Sequence, residues 1–168
     1  MENLWAPWRL EYIQGPDSDD CIFCLGESRS EDETRLILIR GQHCFVIMNR
    51  YPYSNGHLMV APIRHVSRHA EIDDVEAVEI HRYMVACQDV LTETCQAQGF
   101  NVGWNIGLAA GAGVADHLHL HIVPRWRGDT NFMPVLADIR VIPEHLLATY
   151  RLLRKAFESH EINNRAFR

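Results

Sequence analysis

No apolar run in this 168-residue sequence approaches the roughly 20 residues that a membrane-spanning helix requires. The amino end, Met1-Glu2-Asn3-Leu4-Trp5-Ala6-Pro7-Trp8-Arg9, lacks the basic segment and long apolar stretch of a secretory signal, so the expected location is cytoplasmic. Cysteine is scarce, with five residues, an odd number, of which only Cys21 and Cys24 lie close together. In a reducing compartment that pattern argues against a disulfide framework and for a metal clip or a redox pair. Basic charge is also in deficit: 16 Lys and Arg against 22 Asp and Glu give a formal charge of −6. Such a chain has no general cationic field with which to hold nucleic acid. An anionic ligand must be held by local donors, which leaves a small phosphate-bearing molecule open. Internal repeats and low-complexity tracts are absent too.

What remains is the composition of a globular protein, 47% hydrophobic and 23% charged, in a length suited to one domain spanning residues 1–168. Leu36 to Ile39 and His43 to Met48, separated by Gly41-Gln42, predict a hairpin. After a loop with turn residues Pro52, Asn55 and Gly56, His57 to Ala61 predicts another strand, stopped by Pro62. Residues 73–98 predict the main helix. Asp73 and Asp74 suit its amino end, and Ala77, Ile80, Met84, Cys87, Leu91 and Cys95 form an apolar stripe. Gly99 stands where a left-handed cap would end it. Strands follow at Phe100 to Asn105 and His117 to Val123, with a glycine-rich turn, Gly107 to Gly113, between them. Pro143 to Phe157 predicts a carboxyl-terminal helix, with Leu146, Leu147, Tyr150 and Leu153 apolar. Cys44, Cys87, Cys95, Met48, Met59 and Met84 fall in apolar patterns and are assigned to the core. The acidic run Asp17-Ser18-Asp19-Asp20 is assigned to a solvated loop. Short strands with an inserted long helix imply an α+β fold.

The sharpest feature is His117-Leu118-His119-Leu120-His121-Ile122-Val123-Pro124. On a strand, alternate side chains share a face, so Leu118, Leu120 and Ile122 would face the core. The three histidines would line the other face, about 7 Å apart. Polar alternation on a half-exposed strand, or a purely metal-binding row, would give the same spacing. Chemistry supplies a sharper reason. Neutral imidazole is a nucleophile near neutral pH and can attack phosphorus, splitting one displacement into two easier ones. A neighbouring imidazole could hold its other nitrogen, and another could protonate the leaving group. The middle residue, His119, is the candidate nucleophile.

The pattern His-φ-His-φ-His-φ-φ, with φ apolar, is matched in full and resembles the histidine triad superfamily of nucleotide hydrolases and transferases. The resemblance continues upstream through Asn49-Arg50-Tyr51-Pro52 and Gly56-His57-Leu58-Met59-Val60-Ala61-Pro62, and covers a core of about residues 20–127. Leu4-Trp5-Ala6-Pro7-Trp8-Arg9 in an arm of residues 1–19 is similar to a bacterial subgroup like the diadenosine tetraphosphate phosphorylases. So are Asn105-Ile106-Gly107, Asp116-His117 and Val123-Pro124-Arg125-Trp126 with Gly128-Asp129, at the start of a helical extension over 128–168. The resemblance implies an antiparallel sheet with one long helix and a carboxyl-terminal helix, a homodimer, and a nucleotidyl-histidine intermediate on His119. It implies that His117 and His121 flank the nucleophile, that Asn49 binds ribose and that Asn105 lies at the substrate phosphate. His57 would lie near the nucleotide or be satisfied by backbone, and Trp126 near the site or the dimer partner, which Trp5 and Trp8 could also reach. Gly113-Val114 replaces the Gln and Ser or Thr of many members, leaving the backbone of the turn at Gly111 and Gly113 to hold phosphate. Arg125 and Arg127 could contact phosphate or be solvated. The resemblance also implies structural zinc on Cys21, Cys24, His65 and His117, with His43 or His69 as alternatives to His65. The implied activity acts on dinucleoside polyphosphates; a nucleoside phosphoramidate hydrolase and a non-catalytic nucleotide sensor are the alternatives.

Overall fold

Side-chain alternation decides which face of the central sheet each strand residue covers, and in this protein both faces are covered. The computed structural model describes residues 21–129 and 145–163. A four-residue helix, α1 (Asp32–Arg35), leads into β1 (Ile37–Arg40), β2 (Cys44–Met48) and β3 (Leu58–Pro62). The long helix α2 (Asp74–Cys95), β4 (Gly99–Trp104), β5 (Leu120–Arg125) and α3 (Leu146–Ser159) follow. The strands form one sheet in the order β1-β2-β3-β5-β4, every neighbouring pair antiparallel. This is an α+β fold. Predicted strand positions hold to within a few residues, but the last strand begins at Leu120 rather than His117, so only His121 of the three histidines lies within it.

Cys44, Val46 and Met48 of β2, Leu58 and Val60 of β3, and Leu120 and Ile122 of β5 point to one face and pack against α2 and α3. Phe45, Ile47, Met59 and Ala61 point to the other face, where Phe23 joins them. Leu118 is buried, but ahead of β5. Cys44 and Cys87 are buried as expected, whereas Cys95 is only half-buried. Met48 and Met59 are buried, and Met84 is half-buried against the core.

Helix α2 departs from its predicted stripe. Its buried face is Glu76, Glu79, Ile80, Tyr83, Ala86, Cys87, Val90 and Leu91, while Ala77 is exposed. Two glutamates enter this face because each has a fixed set of donors. Glu79 accepts from the backbone N–H groups of Gln42 (2.9 Å) and His43 (2.6 Å), tying α2 to the β1–β2 turn. Glu76 accepts a two-pronged bond from Arg64 (2.7 and 2.6 Å) and closes a capping box with Asp73. The helix ends at Gln96, which takes the left-handed conformation (φ 54°), while Gly99 opens β4. Trp126 supplies the reason: its indole N–H donates to the Cys95 carbonyl (3.0 Å) and satisfies a terminal helix acceptor.

At the opposite edge, α3 lies beside β1. The Tyr150 hydroxyl donates to the Ile37 carbonyl (3.1 Å) and Arg154 to the Leu38 carbonyl (2.6 Å). Leu153 and Phe157 are wholly buried, whereas Leu147 of the predicted apolar set is exposed. Trp5, Trp8, the run 17–20 and the first residues of the predicted helix at 143–144 lie outside the described residues.

Glu79→Gln is expected to lower unfolding stability by about 2–3 kcal/mol, because the new amide N–H₂ cannot accept from both Gln42 and His43. Urea denaturation of wild type and variant, compared by midpoint at constant slope, measures this.

Candidate active site and metal centre

The segment around Cys21 has no regular secondary structure, so side chains must hold it. A turn is closed by the Cys24 N–H on the Cys21 carbonyl (3.1 Å). The Arg35 guanidinium donates to the carbonyls of Ile22 (2.7 Å) and Cys24 (2.9 Å), and Arg40 binds those of Gly26 and Ser28. Between the cysteines Phe23 turns inward and is 1% exposed. That burial explains the apolar island in a polar loop.

Across from this turn, Arg64 grips Glu76, whose carboxyl is held below the usual range chiefly by those hydrogen bonds. The grip anchors the chain at His65. Val66 accepts from the Leu118 N–H (2.8 Å), joining this chain to the histidine segment. His117 is fully buried, and its Nε2–H donates to the Pro62 carbonyl (2.9 Å), which leaves Nδ1 as the lone-pair nitrogen of the neutral ring.

Those constraints bring Cys21, Cys24, His65 and His117 together, with all four candidate ligand atoms within 4.8 Å of one another. Cys21 Sγ lies 3.3 Å from His117 Nδ1, and Cys24 Sγ lies 3.3 Å from His65 Nδ1. A tetrahedral zinc with ordinary bond lengths would put sulfur and nitrogen about 3.6 Å apart, so this donor set fits the ion in both number and spacing. His69 instead packs edge-on against Trp104 with ring centroids 4.7 Å apart, and neither it nor His43 joins the cluster.

The other two histidines have different surroundings. The His119 ring donates from Nδ1 to the His117 carbonyl (2.8 Å). A carbonyl can only accept, so in the neutral ring the proton is on Nδ1 and the lone pair on Nε2. The expected imidazole partner for that nitrogen is therefore replaced by backbone; β5 starts too late for the three rings to form one regular row. His119 makes an edge-on contact with His121, centroids 4.8 Å apart, and stacks on Phe23 at 4.5 Å. Burial shifts its pKa downward against the raising effect of the carbonyl bond, which favours the neutral form.

A second tautomer chain runs through His57. The Tyr53 backbone N–H donates to His57 Nδ1 (3.1 Å), so the proton of neutral His57 is on Nε2. That nitrogen lies 3.0 Å from His121 Nδ1 and donates to it. His121 must then carry its own proton on Nε2. That buried N–H has no hydrogen-bond partner among the described residues. An unmet buried donor is costly unless a ligand completes it. Desolvation, then the nearby His119, pushes the His121 pKa down to about 4.

Asn49 lies beside this pair: its side-chain oxygen accepts from the Tyr51 N–H (2.9 Å) and its amide nitrogen is 3.4 Å from His57 Nδ1. Asn105 donates to the Tyr53 hydroxyl (3.4 Å), and Tyr53 packs on both His57 and His121. Gly111 (φ +82°) ends the short 3₁₀ turn Leu108–Ala110; like Gly113 it is exposed. Trp126, expected near the site or the dimer partner, packs on the α2 side of the sheet. Arg125 is bound by Asp129 (2.6 and 2.8 Å) and Asn101 (2.9 Å) rather than aimed at a phosphate. Phe23, Tyr53 and Arg35 were not singled out from sequence. Only Phe23 had a signal, as an aromatic residue between two candidate ligands.

Below pH 6.5 an unfolded chain binds a proton that folded His121 refuses until about pH 4, so stability falls as pH drops through this window. The contribution lost by pH 5 is about 2 kcal/mol. Urea midpoints at pH 7.5 and 5 should differ less in His121→Asn than in wild type.

A family model described as the HIT domain matches residues 30–128. A Mycobacterium tuberculosis protein named AP-4-A phosphorylase is 37% identical over 161 residues, covering 91% of this chain and 83% of its own. A zinc-bound histidine triad family protein from Mycobacterium smegmatis is 25% identical with a TM-score of 0.60, over 77% of this chain and 86% of that one. A hypothetical histidine triad nucleotide-binding protein from Sulfolobus tokodaii, also 25% identical, has a TM-score of 0.64 over 84% and 94%. With its three histidines inside the matched span, this chain belongs to the HIT domain family of histidine triad proteins.

Proposed function

We propose that this protein is a nucleotidyl transferase or hydrolase of dinucleoside polyphosphates, in which His119 Nε2 attacks an α-phosphorus. The observation that carries the reading is the His119 Nδ1–H bond to the His117 carbonyl, because it leaves Nε2 with its lone pair. Attack forms a nitrogen–phosphorus bond and breaks the bond from phosphorus to the bridging oxygen. The resulting imidazolium keeps its Nδ1–H on a carbonyl, which favours the positive charge that develops there. The buried Nε2–H of His121 is the donor available to the phosphate or the departing oxygen. A second displacement, by inorganic phosphate or water, then releases the nucleotide and restores His119. The 37% identity to a protein named AP-4-A phosphorylase supports diadenosine tetraphosphate as substrate and phosphate as acceptor. Asn49, Asn105 and the turn at Gly111 and Gly113 are assigned to substrate, and His57 to the partner of His121.

Zinc on Cys21, Cys24, His65 and His117 would crosslink the Cys21–Cys24 turn to the histidine segment, with all four positions taken by protein. Its likeness to a zinc-bound relative supports this assignment. The edge strand β4, with Val102 exposed, and the exposed Val75, Val78 and Val85 along α2 support pairing as a homodimer. Cysteines that serve as metal ligands rather than disulfide partners suit a reducing, cytoplasmic setting.

Diadenosine tetraphosphate incubated with protein should yield ADP only when inorganic phosphate is present, together with ATP; AMP and ATP without phosphate would indicate hydrolysis. His119→Ala is expected to lose activity by about 10³-fold or more and to form no covalent nucleotidyl adduct by mass spectrometry. Faster turnover of adenosine 5′-phosphoramidate than of the tetraphosphate, or AMP binding without turnover, would sink the assignment.

A further inference from the structure

Nothing about the nucleophile itself explains what stops its ring from swinging. The outer torsion of histidine has a broad, weakly restrained profile. The one hydrogen bond at Nδ1 pins a single point and leaves the ring able to rock about the bond to the His117 carbonyl. A second restraint must act on the ring face. Phe23 supplies it: its ring stacks on His119 with centroids 4.5 Å apart and planes 26° from parallel, and it also meets His117 at 5.5 Å.

We propose that Phe23 is a positioning residue that sets the plane of the His119 imidazole, and that the Cys21–Cys24 turn carries Phe23 for this purpose. The inference rests on His119 being the nucleophile. Phe23 lies between two members of the cysteine–histidine cluster, and the His117 carbonyl belongs to a third. The Nδ1 bond and the face-on restraint on His119 are thereby fastened to the same cluster, while His121 meets the ring edge-on. The peg is also braced from its other side by Ile37, Phe45, Ile47, Met59 and Ala61. At 1% exposure the Phe23 ring presents almost no surface to a ligand, so its effect falls on the rate of attack rather than on nucleotide affinity. Small angular errors in a reacting group slow displacement sharply.

The test uses the full chain loaded with zinc and three readouts: single-turnover formation of the nucleotidyl-histidine adduct from diadenosine tetraphosphate by rapid quench, the Kd for AMP by calorimetry, and zinc per chain. Phe23→Leu keeps an apolar filling but loses the flat ring. It should form adduct about 10- to 100-fold more slowly, with AMP Kd within about threefold and zinc content unchanged. Phe23→Tyr retains the ring and should keep adduct formation within about threefold of wild type. An unchanged rate in the Leu variant would overturn the proposal. So would a weakened Kd matching the loss of rate, which makes the ring a ligand contact, or parallel loss of zinc, which makes it a structural plug. A Tyr variant as slow as the Leu variant also counts against it. If wild-type protein itself forms no adduct, the nucleophile reading falls first; if it does and the Leu variant matches it, only the role of Phe23 falls.

Discussion

One hydrogen bond, from His119 Nδ1 to the His117 carbonyl, organises the candidate site of this protein. Because a carbonyl cannot donate, the bond selects one tautomer and leaves the opposite nitrogen with its lone pair. A neighbouring imidazole could not do this alone, since each ring nitrogen can be donor or acceptor according to its own protonation. The backbone removes that ambiguity. The same logic governs His57, where the Tyr53 N–H can only donate and so settles two imidazoles in succession.

The rest of the site exists to keep that carbonyl and its ring in place. His117 is buried with one nitrogen on the Pro62 carbonyl and the other among the cysteines. Leu118 is tied to Val66, next to His65, and Arg64 on its other side is clamped by Glu76 of α2. The chain of restraint thus runs from a helix on one face of the sheet to the His119 ring on the other. It accounts for one of the two charged residues on the buried helix face, Glu76, which is 1% exposed. A buried carboxylate is tolerable where its partners are numerous and rigid, and both Glu76 and Glu79 meet that condition.

Much of this was legible before any coordinates. Short apolar runs bounded by turn residues located β2 and β3, and the spacing of Ile80, Cys87 and Leu91 located α2. The resemblance carried by His117-Leu118-His119-Leu120-His121 implied the four residues, Cys21, Cys24, His65 and His117, that the fold brings together. What failed has a common cause. The apolar stripe includes Ala77, which is exposed, and omits Glu76 and Glu79, which are buried, because hydrophobicity alone carries no information about distant donors. Gly99 suits a left-handed helix cap, but the helix ends at Gln96 in that conformation, with the Trp126 indole, 31 residues beyond Cys95, satisfying the Cys95 carbonyl. Trp126, which the resemblance places near the site or the dimer partner, packs within the chain on the α2 side, because a residue past the strand end can turn to either face.

The amino-acid order by itself determined the alternation that sorts each strand into two faces, the identity of the histidines and thiols, and the absence of a cationic surface. These follow from local geometry and from charge, which need no knowledge of distant neighbours. Only the tertiary structure decided which nitrogen of each imidazole carries a proton, which histidine joins the cysteines, and which aromatic ring lies against His119. Some of those outcomes depend on groups brought from 55 to 96 positions away, and even for the nearby His117 carbonyl and Tyr53 N–H no local pattern encodes the direction in which they will point.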